Sequence, residues 1–242
     1  MSEADEWSAL GAFTPARVAL GRAGNGLPTR RVLEFQLAHA RARDAVHAPF
    51  DAEAIAAELA PAIVLETRAM DRTAYLMNPD SGRRLSEDSR AMLKAGGQDA
   101  VLVVADGLSA TAIAAHGVAL ARAIFAQAPQ VRWAPAAIVR NGRVAIGDEI
   151  AQALGCAFAV VMIGERPGLS AADSVGLYLT LNPVAGVSKD AERNCISNIR
   201  PGGLGLDEAA RRQAWLMGAA RRLGATGVAL KEDAPEALPP PA

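Results

Sequence analysis

Three short apolar runs constrain this chain more than any other feature: AVLVV from Ala100, AAIV from Ala136 and AFAVVMI from Ala157. Each breaks abruptly into a loop of glycine and polar residues. A run this short with no polar alternation reads as a strand covered on both faces, the condition of a parallel sheet between helix layers. The first run leads through ADGLSA into the helical pattern TAIAAHGVALARAIFAQA, and the second leads through RNGRVAI into GDEIAQALG. A third unit, AFAVVMI, GERPG and LSAADSVGLYLT, continues the series. Repeated units of this kind predict an open α/β sheet whose ligands lie outside the carboxyl ends of the strands.

Upstream of Asp99 the rhythm is helical. The segment from Gly26 to His47 places Val32, Leu33, Phe35, Leu37, Ala38 and Ala42 on one broad stripe, with Pro28 and Thr29 suited to its first turn. A shorter helix, DAEAIAAELA, and a strand, AIVLETRA, follow; the chain then turns sharply between Pro79 and Gly82. In SEDSRAMLKAG, Ser86 is the expected N-cap and Gly96 the expected stop. A last helix is expected over DEAARRQAWLMGAARRLG, and GVALKED reads as a closing strand. The expected class is α/β: a Rossmann-like open, mainly parallel sheet with flanking helices, preceded by a helical N-terminal region. The expected divisions are 1–98 (helical, with a short strand and turn), 99–233 (the Rossmann-like part) and 234–242 (a disordered proline-rich tail).

Composition excludes several functions. Lys and Arg number 25 against 26 Asp and Glu, so the basic excess of a nucleic-acid binder is missing. No apolar run approaches the ~20 residues of a membrane span, and the acidic start does not have the order of a secretion signal. Aromatics are only 4%, so the core must come from Ala, Val, Leu and Ile. Cys156 and Cys195 cannot staple a chain of 242 residues, and a reducing compartment is expected.

Candidate chemistry gathers where the strands end. Asp106, Gly107, Leu108 and Ser109 follow the first run, and Gly164, Glu165, Arg166, Pro167 and Gly168 follow the third. The segment ERNCISNIRPGGLG, residues 192–205, is too polar for a core strand and too rich in glycine for a helix, and reads as a third loop. Glycines permit close backbone approach and helix starts offer free N–H groups. None of these loops is a standard dinucleotide or phosphate fingerprint. His39, His47 and His116 form no ligand pair, so no protein-held metal is expected. Ser109 and Ser170 lie outside any nucleophile-elbow pattern. Glu165 could serve as acid or base, or as a hydrogen-bonding anchor. The residues alone describe a binding cleft and assign no catalytic residue to this chain. A stand-alone nucleotide-binding enzyme using Asp106 and Glu165, and a pure scaffold, both remain open at this point.

RVALGRAGNGLPT, NPDSGRRLSEDS, DGLSATAI, VRNGRVAIGDEIAQALG, GERPGLSAADSVGLY and DAERNCISNIRPGGLG, in that order, resemble the small subunit of ethanolamine ammonia-lyase. The likeness runs from about Thr14 to Lys231. It implies an adenosylcobalamin-dependent lyase that converts ethanolamine to acetaldehyde and ammonia by a radical mechanism. A TIM-barrel large subunit would carry the substrate, and this chain would close over the cofactor within a higher-order hetero-oligomer. The resemblance places cobalamin contacts on Val144, Glu165 and Cys195; Asp106, Gly107, Ser109, Arg166, Asn194, Ser197 and Asn198 are further candidates. Asp-x-His-x-x-Gly is missing, so the cofactor is expected to keep its own benzimidazole on cobalt. The expected setting is cytoplasmic, with a protein-shelled bacterial microcompartment as the alternative. Relatives often carry a longer N-terminal extension linked to that targeting, whereas this chain begins close to the shared core.

Overall fold

A computed structural model describes residues 7–14 and 16–233. Its centre is one six-stranded sheet: β1 (Ala62–Glu66), β2 (Ala100–Ala105), β3 (Ala136–Arg140), β4 (Phe158–Gly164), β5 (Val175–Leu181) and β6 (Asn194–Ile199). The spatial order is β1-β3-β2-β4-β5-β6. The first four strands pair in parallel, whereas β4 with β5 and β5 with β6 are antiparallel. The protein is therefore α/β, but its sheet is mixed, which corrects the expectation of a mainly parallel, Rossmann-like sheet. The proline tail, 234–242, lies outside the described residues.

The apolar runs are legible strand by strand. Ala100, Leu102 and Val104 of β2 face one core while Val101, Val103 and Ala105 face the other. β4 divides the same way, with Phe158, Val160 and Met162 opposite Ala159, Val161 and Ile163. Successive strand residues point to opposite faces, so only a strand roofed on both sides needs apolar residues at every position.

The first core is closed by α2 (Ala52–Glu58), α6 (Val118–Gln127) and α8 (Leu206–Leu223), through Ile55, Leu120, Ile124 and Leu216 among others. α5 (Ala110–Ala112) and a π-helical turn, Ile113–Gly117, lead into α6. The stretch Ala110–Gln127 is apolar enough by composition to cross a membrane, yet its buried Ile113, Leu120, Ala121 and Ile124 pack on the sheet. The second core is closed mainly by α7 (Ile146–Leu154), whose Ile146, Ile150, Ala151 and Leu154 lie on it. α1 (Thr29–His47) is different: only Ala45 of it is buried, and Leu33, Phe35 and Leu37 of the expected apolar stripe are about half exposed.

Several local expectations change. α3 (Arg72–Met77) and a 3-10 turn, Pro79–Arg83, occupy the segment around the expected sharp turn. α4 (Glu87–Met92) starts on Ser86, whose hydroxyl accepts from Ser89 N at 3.2 Å, but stops before Gly96 because Leu93 turns extended and packs into the second core. LSAADSVGLYLT does not continue the strand–loop–helix series; its second half is β5. GVALKED forms a 3-10 turn, Gly227–Ala229, and no strand. The polar segment expected as a third loop contains β6, a strand at the sheet edge. Only Ile196 and Ile199 of β6 face a core, so the apolar periodicity that marks the inner strands is nearly missing from it.

Candidate functional site

The ends of β2, β3 and β4 meet in a tightly bonded framework. Gly107 adopts φ +55°, and a Cβ added there would lie 2.3 Å from the Gly164 carbonyl oxygen. A Cβ on Gly164 would lie 2.1 Å from the carbonyl oxygen of Ser109. The two segments thus touch backbone to backbone, with Leu108 N donating to Gly164 O at 2.9 Å. Ser109 is fully buried; its hydroxyl caps α5 by accepting from Ala112 N and donates to Ala172 O at 2.8 Å. Asp106 is buried and accepts from Arg72 Nη1 at 2.9 Å and from Gly142 N at 3.3 Å. Desolvation pushes its carboxyl up to about 6, against the opposing pull of Arg72 and the N–H groups of Gly142, Asn141 and Gly107.

Arg72 also donates to the carbonyls of Val46 and Gly107, and lies over the Tyr75 ring at 4.9 Å. Arg143 covers the same ring at 4.2 Å, and the Tyr75 hydroxyl donates to Gly142 O at 3.0 Å. Asp106 and Ser109, grouped from the sequence with the binding residues, therefore spend their side chains on holding the loops together. Asn194 does likewise: its amide donates to the carbonyls of Gly227 and Leu230 and accepts from Gly227 N at 2.8 Å. These three position the site, and a ligand would meet their side chains only by breaking those bonds.

A second group faces outward. α8 lies over β5 and β6 on one face, whereas α7, on the other face, lies over β2 and β4. On the α7 side the β5–β6 pair consequently presents Tyr178, half-buried, with Cys195 directly opposite it in the register and exposed. Glu165 leans in from the end of β4. Its Oε2 accepts a short hydrogen bond from the Ser174 hydroxyl and another from Asn198 N at 3.1 Å. Its Oε1 lies 3.1 Å from the point where a Cβ on Gly176 would sit, so a larger residue there would crowd the carboxylate. Asn198 holds φ +57°, and its side-chain oxygen accepts from Arg200 Nε at 2.9 Å. Ser197, on β6, and Arg166, in the loop after β4, are both exposed, and Val144, half-buried, packs into the second core just before α7.

The Cys195 thiol is raised above its ordinary range, first by desolvation and further by the Glu165 charge, while a hydrogen bond from the Tyr178 hydroxyl opposes the shift. The Tyr178 phenol is raised as well, mainly by desolvation. Beneath this surface Arg193 and Asp148 form a fully buried bidentate pair, at 2.6 and 2.7 Å, that ties the start of β6 to α7. Arg193 also donates to the Thr180 hydroxyl at 2.9 Å.

Tyr178, Ser174 and Gly176 escape a reading of the sequence because β5 reads there as part of a helical unit. Alternation in VGLYLTL was the available signal, with Tyr178 and Thr180 between leucines. His116 Nε2 lies 3.1 Å from Asp173, beside Ser174 but with no bond to Cys195 or Glu165. Among the described residues no three His, Cys, Asp or Glu converge as metal ligands. The arrangement is a polar, partly open face with one carboxylate oxygen, one thiol and a rim of loop backbone on a rigid base. Such a face suits binding of a large ligand with many hydrogen-bonding groups.

The sequence pattern of the family "Ethanolamine ammonia-lyase light chain (EutC)" matches residues 4–231. The ethanolamine ammonia-lyase small subunit of Pseudomonas fluorescens (strain Pf0-1) is 50% identical over 240 residues, covering 94% of this chain and 87% of that protein. That of Ralstonia nicotianae is 49% identical over 240 residues, with 94% and 88% covered. That of Xanthomonas campestris pv. campestris is 48% identical over 246 residues, with 97% and 90% covered. The chain therefore belongs to the ethanolamine ammonia-lyase small-subunit family, a lyase component whose designation implies a large-subunit partner.

Proposed function

We propose that this chain clamps adenosylcobalamin against the large subunit, with the outward face of β5–β6 and the adjoining loops as its half of the pocket. The observation that carries this reading is Glu165. One of its oxygens is fixed by Ser174 and Asn198, while Oε1 makes no protein hydrogen bond among the described residues and lies over Gly176. A corrinoid is edged with neutral amides, and an amide N–H is the donor such an oxygen accepts. The Cys195 thiol, exposed Ser197 and the backbone around Asn198 and Val144 supply further dispersed contacts. The donor set thus fits the group, and it fits by polar and backbone contact. When bound, the cofactor supplies the radical chemistry by which ethanolamine becomes acetaldehyde and ammonia. This chain orients it and excludes water, and contributes no proton-transfer group of its own.

The chain carries no Asp-x-His-x-x-Gly sequence, so it would offer cobalt no histidine of that kind. The complex is a higher-order hetero-oligomer, cytoplasmic or enclosed in a microcompartment. Turnover by the isolated chain is not expected, since half the pocket belongs to the partner. An independent enzyme using Asp106 and Glu165 as acid and base is disfavoured, because Asp106 is buried and bound to Arg72.

The test is co-expression with the large subunit, followed by cobalamin-retention measurements on the pair and on each chain. Retention should need both chains. Glu165→Gln should weaken affinity about 10-fold while leaving the heteromer intact, since one charge-assisted hydrogen bond is lost. Unchanged affinity in that variant would remove Glu165 from the contact, and full retention by either chain alone would overturn the clamp.

A further inference from the structure

A basin of about 670 Å³, lined in part by Ala145, next to Val144 on the chain, is not used by the contacts proposed above. Arg68, Arg84, Asn78, Ser81, Ala145 and Asp148 are among the residues that line it. Arg68 and Arg84 are held together by their backbones, Arg68 N donating to Arg84 O at 2.9 Å. Space for the Arg84 guanidinium depends on Gly186, at φ +78°, where a Cβ would come within 2.6 Å of Nη2.

Charge around the basin is unbalanced. Asp80 on the rim is 3.4 Å from Arg83, and the Asp148 carboxylate is fully engaged by buried Arg193. Among the described residues neither Arg68 nor Arg84 makes an ion pair, so two guanidinium charges stand uncompensated around a polar hollow. Two guanidiniums lining one polar hollow suit the oxygens of a phosphate. The basin also adjoins the proposed cofactor surface. Ala145 is the residue after Val144, and Asp148 is paired with Arg193, two positions before Cys195.

We infer that the Arg68–Arg84 basin receives the phosphodiester of the corrinoid's nucleotide tail. This rests on the corrinoid reading above and adds where the ligand's anionic end lies. A cobalamin's amide edges are neutral and the tail phosphate is its fixed negative charge. Among the described residues, the hollow lined by Arg68 and Arg84 sets two guanidiniums without ion-pair partners close to Val144, where that charge would be favoured.

The test compares cobalamin with cobinamide, which has the corrin but no nucleotide tail, on the intact heteromer. Affinities are measured for the wild-type complex, for Arg68→Gln with Arg84→Gln, and for Arg68→Lys with Arg84→Lys. The glutamine pair should weaken cobalamin about 10-fold or more, leave cobinamide within about twofold, and leave assembly unchanged; the lysine pair should retain part of the preference. Equal losses for both ligands, or no loss for either, would overturn the assignment while leaving the corrinoid reading intact. If the wild-type heteromer binds neither corrinoid, the corrinoid reading itself fails. Calorimetry with inorganic phosphate separates a free-anion site: phosphate binding abolished in the glutamine pair, with an unchanged cobalamin-to-cobinamide ratio, would overturn the proposal. Dissociation of the heteromer in that variant would assign the basin to a partner carboxylate and would overturn it too.

Discussion

Asp106 shows how far a residue's role depends on what surrounds it. At the end of a strand it reads as a binding or catalytic acid, yet it is buried, and its carboxyl is raised to about 6. The folded value lies above the ordinary 3.8, so between the two the folded state holds the proton that the unfolded chain has released. Its contribution therefore favours folding at low pH and is lost as pH rises from about 4 to about 6. Urea denaturation across that window should show wild-type stability falling relative to Asp106→Asn, by on the order of 1–3 kcal/mol. A difference independent of pH would contradict the assignment. The two thiols make a second case. Cys156 is buried and pushed up to about 11, chiefly by desolvation, while Cys195 is exposed but raised. Peptide mapping after iodoacetamide treatment at pH 8 should find Cys195 alkylated several-fold more slowly than free cysteine, and Cys156 only after unfolding. Glu165→Gln should speed the Cys195 reaction by removing a negative neighbour, whereas Tyr178→Phe should slow it by removing the donor to sulfur.

At the scale of elements, β6 carries the main lesson. Its sequence, NCISNI, is that of an edge strand with one face on the core, and two isoleucines do not make a readable period. What fixes it is Arg193 at its entrance, bonded to Asp148 on α7 and to Thr180 on β5. Removing either member of that pair leaves a buried charge alone, so Arg193→Met or Asp148→Leu should each destabilise by about 3–5 kcal/mol in denaturant titration. The double variant should recover most of the loss, because no unpaired charge remains. Equal, additive losses would show that the coupling is not electrostatic. Helix starts were partly legible: Ser86, the expected N-cap, does cap α4, while Asp51, Asp71 and Ser109 cap helix starts in the same way without having been expected to, and α3 behind Asp71 was not expected at all. Helix ends were harder, because Leu93 leaves α4 for a distant core contact that no local signal announces.

For the whole molecule, the two cores are built from α2, α6, α7, α8 and the sheet, and no residue of α1 belongs to either. α1 instead exposes Val32, Leu33, Phe35 and Leu37. Deleting residues 1–44 should accordingly cost little folding stability, about 1 kcal/mol or less, since Ala45 and the Val46 carbonyl that binds Arg72 are kept. Association with the large subunit should weaken at least 10-fold in analytical ultracentrifugation, because the removed surface carries the exposed Val32, Leu33, Phe35 and Leu37. Unchanged association would place the partner elsewhere.

By itself the sequence determined the four parallel strands β1 to β4, the long helices and the family, because β2, β3 and β4, roofed on both faces, need apolar residues along their length and a shared order of motifs identifies relatives. Only the tertiary structure decided that the last two strands run antiparallel, that Asp106, Ser109 and Asn194 turn inward, and that Glu165, Tyr178 and Cys195 share one open face. Those outcomes depend on which element lies over which. A residue's neighbours along the chain do not encode the charge, solvent and backbone groups that folding brings to it from far away.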